Sequence, residues 1–158
     1  IKFTLSNITL NFSYFTSSNN LFNILIFQIV NMGLEPVYIL TIWNIKVLKR
    51  LFEEVNSEKF KVIFDPVNLI GLENYKEQDK LIEDIFRYFG NKIATVHFKD
   101  FKVENNNLIR VSPGRGILNY NLLLREMKKY NINGILDEVP KKDLEFSKKY
   151  IENILQNL

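Results

Sequence analysis

The chain has 158 residues, 46% of them hydrophobic, with no cysteine and a formal net charge of +3. That is enough apolar material for one packed domain and too much for an intrinsically disordered chain. Without cysteine there are no disulfides, thiolate metal sites or cysteine nucleophiles, which fits a cytoplasmic protein. Basic and acidic residues are interleaved, so the charge makes no case for a nucleic-acid partner. The longest apolar run, Leu21 to Val30, contains Asn23 and Gln28. It falls short of the roughly 20 residues of a membrane span, and nothing before it resembles a signal peptide.

In chain order, Ile1, Phe3 and Leu5 alternate with polar residues, as do Ile8, Leu10, Phe12 and Tyr14, a strand pattern. Ser17–Asn20 reads as a turn and Leu21–Val30 as a helix, so residues 1–30 form a poorly defined lead-in. A clearer rhythm follows. Met32–Tyr38, Lys61–Asp65, Lys92–Phe98 and Gly134–Val139 are short apolar runs expected to be buried strands. Each precedes an amphipathic helical stripe. The first is Leu48, Leu51, Phe52 and Val55. The second is Leu81, Ile82, Ile85, Phe86 and Phe89, stopped at Gly90. The third is Tyr120, Leu123, Leu124 and Met127, with Asn119 as N-cap. The fourth is Leu144, Ile151, Ile154, Leu155 and Leu158. The result is an α/β chain of about four βα units with a parallel sheet, and no linker divides it.

In parallel α/β proteins the chemistry is built where strands end and βα loops begin. Here every clear strand ends in a potential metal ligand: Glu35, Asp65, His97 and the pair Asp137/Glu138. The intervals between them each approximate one βα unit of a barrel in which about 250 residues hold eight. A lone acid after a strand is ordinarily a turn residue or helix cap, and Asp100 and Asp143 suit that role. Carboxylates recurring at consecutive apolar strand ends need a cation or hydrogen-bond donors to offset their desolvation. Pro113-Gly114-Arg115-Gly116 is a turn without the spacing of a phosphate-binding loop. With Lys99, Lys102, Arg110 and Arg115 close in sequence, it could meet an anionic or polyhydroxy substrate.

The segments Leu34-Glu35-Pro36, Phe64-Asp65-Pro66-Val67-Asn68, Val96-His97-Phe98-Lys99-Asp100, Pro113-Gly114-Arg115-Gly116 and Leu136-Asp137-Glu138 resemble the sugar isomerase/epimerase family with a xylose isomerase-like TIM barrel. The likeness runs over about residues 31–158. It implies a partial TIM barrel, the second half of the family's eight units, as a single domain over residues 1–158. It also implies one divalent metal, Mn²⁺ or Mg²⁺ before Co²⁺ or Zn²⁺, held by Glu35, Asp65, His97 and Glu138, with Asp137 as the alternate.

By the same resemblance the protein is a metal-dependent sugar or sugar phosphate isomerase or epimerase. It would work by proton transfer through an enediolate, with Glu35 and Glu138 as acid/base groups. Asn68, Lys99, Arg110 and Arg115 are the expected substrate contacts. Asn68 stands where many epimerases of the family carry a histidine, and an amide cannot shuttle a proton near neutral pH. The partner is then a small sugar, with neither membrane nor nucleic acid, and a homo-oligomer is compatible. Two alternatives stay open: an inactive barrel fragment or binding subunit, and an endonuclease IV-like DNA-repair enzyme, whose histidine-rich three-metal cluster one histidine cannot supply. A start at Ile1 and four units instead of eight lead to the expectation of a piece of a longer protein. Alone it would expose inward strand faces, including Ile63 and Val96, and would aggregate, dimerise or bind metal weakly.

Overall fold

The computed structural model of the protein describes residues 2–5, 8–11, 32–37 and 45–158. The expected Ser17–Asn20 turn and Leu21–Val30 helix lie outside them. The elements in order are β1 (Lys2–Leu5), β2 (Ile8–Asn11), β3 (Met32–Leu34), α1 (Ile45–Val55), β4 (Phe60–Phe64), α2 (Gln78–Phe89) and β5 (Ile93–Phe98). They continue with β6 (Asp100–Glu104), β7 (Asn107–Val111), α3 (Tyr120–Tyr130), β8 (Gly134–Leu136) and α4 (Leu144–Gln156).

One sheet runs in the order β2-β1-β3-β4-β5-β8. Strands β3, β4, β5 and β8 are parallel neighbours, the four expected units of a partial barrel. The alternating lead-in does form strands, but β1 and β2 pair antiparallel with each other, and β1 lies antiparallel against β3. The strands ending at residues 34 and 136 are shorter than their apolar runs, because the chain turns away from the ladder to present Glu35 and Asp137.

Helices cover one face of the sheet. Phe60, Val62 and Phe64 of β4 are fully buried on that face, while Lys61 and Ile63 are half-buried on the other. Leu48, Leu51 and Val55 of α1 and Ile82, Ile85, Phe86 and Phe89 of α2 close over the buried face. Phe52 packs against Phe60 and Phe89 at ring separations of 4.6 and 5.3 Å. Each side chain so buried contributes about 1.5–3 kcal/mol.

Register corrects one expectation. Phe64 pairs with Val96 and Ile63 with Thr95, so Val96 shares the face of Phe64. It is fully buried under the helices instead of lining the barrel interior. The interior face carries Ile63, Thr95, His97 and Ile135. Ile135, at the outer strand, is 53% exposed.

The fourth helical stripe is also narrower than its sequence pattern. Ile151 and Ser147 are buried, whereas Leu144, Leu155 and Leu158 are at least 40% exposed. Asn119 caps α3 as expected, its side chain accepting from Leu122 N at 3.1 Å. Residues 100–111 form a β6–β7 hairpin that strand-helix alternation did not anticipate. Among the described residues no helix is long and apolar enough to cross a membrane.

Candidate metal centre

Parallel strands deliver their terminal residues to one rim, and three of the expected ligands meet there. One donor atom each from Glu35, Asp65 and His97 lie within 4.8 Å of one another. Glu35 leaves β3 just before Pro36, which cannot donate to the ladder. Asp65 ends β4, and the following Pro66 starts a short 3₁₀ turn, Val67–Leu69. That turn points the Val67 and Asn68 amides at Asp65 Oδ1, at 3.0 and 3.3 Å. Asp65 is therefore fixed by one oxygen, and its other oxygen faces the cluster. His97 stands on β5 with its Nδ1 3.5 Å from both Glu35 Oε1 and Asp137 Oδ2.

Asp137 and Glu138 part company after β8. Asp137, the alternate fourth ligand, lies against His97, and Glu138 does not join the cluster. Glu138 takes a left-handed backbone (φ 53°) and is 64% exposed. Its carboxylate meets Lys99 Nζ at 2.9 Å and Arg110 at 3.8 Å.

Lys99, expected to touch substrate, is buried among three carboxylates: Asp65 at 3.1 Å, Asp137 at 2.8 Å and Glu138 at 2.9 Å. The sequence did hold a signal for this position, because Lys99 follows His97 by two residues and an extended chain puts both on one face. Asn68 bridges outward. Its amide donates to Glu35 Oε1 at 2.8 Å and accepts from Arg110 at 2.8 Å. Arg115 lies 3.5 Å from Asp143 and stacks on Phe146.

The electrostatics follow from these contacts. Burial pushes the Asp65 carboxyl up, against the pull of Lys99. Glu35 raises the His97 imidazole, outweighing burial, with Asp137 and Asp65 adding to it. Burial works against the Lys99 charge, but Asp137, Glu138 and Asp65 more than offset it and keep the ammonium protonated beyond the usual lysine range. Asp137 is held low by Lys99 in spite of its own partial burial. Asp65 Oδ2 is buried with the Lys99 ammonium 3.1 Å away, and His97 Nδ1 is buried with its neighbouring carboxylate oxygens 3.5 Å away and no hydrogen bond made, an arrangement that normally costs about 1–3 kcal/mol. Two carboxylates and an imidazole, each bringing one ligand atom to within 4.8 Å of the others, fit a divalent cation of the Mn²⁺, Mg²⁺ or Zn²⁺ kind.

Asp100 and Asp143 do more than cap turns. Asp100 is 1% exposed and accepts the amides of Phe101, Gly114, Gly116 and Leu118 at 2.8–3.0 Å. It pins the Pro113–Gly116 turn from inside. Asp143 begins α4 without capping it; its carboxylate accepts instead from Ser112 Oγ at 2.8 Å.

A parallel α/β half-barrel carrying a carboxylate–imidazole cluster at its carboxyl rim is the class of protein these features define. The chain belongs to the xylose isomerase-like TIM barrel family, whose model matches residues 19–149. Three similar structures agree on the fold. A xylose isomerase domain protein from Planctomyces limnophilus has 18% identity and a TM-score of 0.60, covering 79% of this chain and 45% of that one. The IOLI protein with a bound zinc atom has 17% identity and a TM-score of 0.58, with coverages of 79% and 49%. The 3-keto-D-glucoside 4-epimerase YcjR from E. coli has 16% identity and a TM-score of 0.51, with coverages of 78% and 45%. The chain thus spans about half the length of these proteins. No match was found among curated protein sequences.

Proposed function

We propose that these residues form the metal-bearing half of a sugar isomerase or epimerase that moves a proton at a carbon next to a carbonyl. The observation that carries this reading is the meeting of Glu35, Asp65 and His97 within 4.8 Å at the strand rim, inside a family fold that an epimerase also uses. Glu35, Asp65 and His97 would hold the ion, with Asp137 the nearest further carboxylate. A divalent cation there supplies Lewis-acid polarisation of the substrate carbonyl, which makes the neighbouring C–H acidic enough to lose its proton.

The chain's own groups do the rest. Glu35 accepts the proton, and Asn68, donating to Glu35 Oε1, fixes the direction in which the other oxygen faces. Asp137, 3.5 Å from His97 Nδ1 just past β8, or Glu138 beside it, held by Lys99 and Arg110, returns a proton. Lys99 keeps those two acids and Asp65 assembled at the rim.

The test is hydrogen exchange. A ketose in D₂O with Mn²⁺ and the purified chain should exchange its α-proton faster than with Mn²⁺ alone, and Glu35→Gln should abolish the excess, because an amide cannot accept that proton. An exchange rate equal to the Mn²⁺ blank, or undiminished in Glu35→Gln, contradicts the proposal.

A further inference from the structure

Asn68 has two amide orientations to choose from, and only one of them serves Glu35. Its Nδ2 donates to Glu35 Oε1 at 2.8 Å, and its Oδ1 accepts from Arg110 at 2.8 Å. Turning the amide over would set Oδ1 against the Glu35 carboxylate and Nδ2 against the Arg110 guanidinium, acceptor to acceptor and donor to donor. Asn68 is 7% exposed, so water does not repair either mismatch. The two ends differ in one respect. A guanidinium only donates, whereas a carboxyl accepts when ionised and also donates once protonated.

That difference matters at the moment Glu35 takes a proton. A neutral Glu35 no longer dictates which end of the amide it meets, since a proton on Oε1 would donate to Oδ1 of a turned-over Asn68. Arg110 still dictates it, because its N–H groups accept nothing. As long as Arg110 holds Oδ1, Nδ2 goes on donating to Oε1, and the arriving proton is left to Oε2. Without Arg110 the proton would be free to settle on the oxygen turned to Asn68.

Arg110 is delivered by β7 of the β6–β7 hairpin. One guanidinium nitrogen bonds Asn68, after β4, and the other lies 3.8 Å from Glu138, after β8. Strands β4 and β8 are not neighbours, because β5 lies between them, so the hairpin spans the rim. Its base is anchored. Phe101, the residue paired with Arg110, is fully buried, and Asp100 beside it accepts four backbone amides. With Lys99, Asp137, Glu138 and Arg115, Arg110 also lines a cavity of about 590 Å³ next to the cluster, within the usual range of small-ligand pockets.

We propose that Arg110 is a positioning residue for the acid/base group Glu35: by holding Oδ1 of Asn68 it keeps Nδ2 on Oε1 before and after proton transfer, so that Oε2 alone receives the substrate's proton. Arg110 acts through Asn68 and needs no contact with the reacting atoms. The β6–β7 hairpin thereby gains a task, which is to carry a donor-only side chain to the far end of the Asn68 amide. The inference rests on the isomerase reading for what Glu35 does, while the amide orientation itself does not depend on catalysis.

The experiment compares Arg110→Lys, which keeps a donor-only group facing Asn68, with Arg110→Gln, whose amide accepts as readily as it donates. The Arg110 side chain is 53% exposed, so neither change disturbs the core. The first measurement is NMR of the ¹⁵N-labelled full chain with Mg²⁺, the Asn68 side-chain amide being assigned by its loss in Asn68→Ala. One of its protons, bonded to a carboxylate, should lie downfield in the unaltered chain and in Arg110→Lys, and move back towards the position of a solvated amide in Arg110→Gln. The second is α-proton exchange of a ketose in D₂O with Mn²⁺. There kcat of Arg110→Gln should fall about tenfold below that of Arg110→Lys, the rate equivalent of about one hydrogen bond to a charged group, with KM for the ketose within about twofold. An amide signal identical in the two variants overturns the positioning role. So does an Arg110→Gln that raises KM while kcat holds, which would mark Arg110 as a direct substrate contact. Exchange no faster than the Mn²⁺ blank in every protein, with the amide signals as described, would instead count against the isomerase reading alone.

Discussion

Asp100→Asn changes one atom at the point where the fold positions its candidate ligand pocket. The Asp100 Oδ2 atom accepts two amides, Gly114 N at 3.0 Å and Gly116 N at 2.9 Å, while Oδ1 accepts Phe101 N and Leu118 N. In the asparagine variant Oδ1 keeps its partners, and an NH₂ group replaces Oδ2 opposite two N–H donors. Two hydrogen bonds to a charged acceptor are lost, each worth about 1.5–3 kcal/mol. The residue is 1% exposed, so water cannot take their place. The loss should be about 3 kcal/mol or more, against a typical domain stability of about 5–15 kcal/mol. In urea the midpoint should fall with little change in slope, and the thermal midpoint should drop by roughly 6 °C or more. Since the same amides set the Pro113–Gly116 turn, Arg115 should lose its fixed position beside Asp143 and over the Phe146 ring. A stability change below about 1 kcal/mol would refute the claim that Asp100 organises this turn.

Lys99→Met should destabilise the metal-free protein by about 3–5 kcal/mol, because it strands the buried Asp65 carboxylate without its cation; calorimetry should also show Mn²⁺ raising the thermal midpoint more in the variant than in the unaltered chain. Asn68→Ala frees both Glu35 and Arg110, and loss of such an orienting partner should weaken Mn²⁺ binding by about 10–100-fold in an EPR titration. β8 has no strand on its outer side among the described residues, and Ile135 on it is 53% exposed. Sedimentation should therefore show concentration-dependent association, reduced by Ile135→Lys, which places a charge on the open edge; an unchanged monomer in both proteins would contradict that.

The parallel units were legible because buried strands and amphipathic helices write themselves as apolar runs and 3.6-residue stripes, as in Phe60–Phe64 followed by Ile82, Ile85, Phe86 and Phe89. The cluster was legible for a related reason: strand ends share a rim, so Glu35, Asp65 and His97 had to meet once the strands were placed. What the sequence hid depends on register and turns. Val96 could face either layer until pairing with Phe64 put it under the helices. The β6–β7 hairpin turns through Asn105 and Asn106, both at positive φ, and asparagine is common enough in this chain to mask that turn signal. Leu144, Leu155 and Leu158 carry the helical period of a core stripe, yet Leu144 and Leu155 are exposed on α4 and Leu158 is exposed beyond its end. Asp137 and Glu138 were separable only by backbone geometry, because the left-handed turn at Glu138 breaks the strand alternation that would otherwise decide between them.

The most direct measurement is Mn²⁺ stoichiometry, by EPR titration of the purified chain and of Asp65→Asn and His97→Ala. A single cluster of Glu35, Asp65 and His97 predicts one Mn²⁺ per chain, with affinity reduced by at least about tenfold in each variant. Three ions per chain would point to nuclease-type chemistry. No bound ion, or binding unchanged by both substitutions, would contradict the metal centre itself.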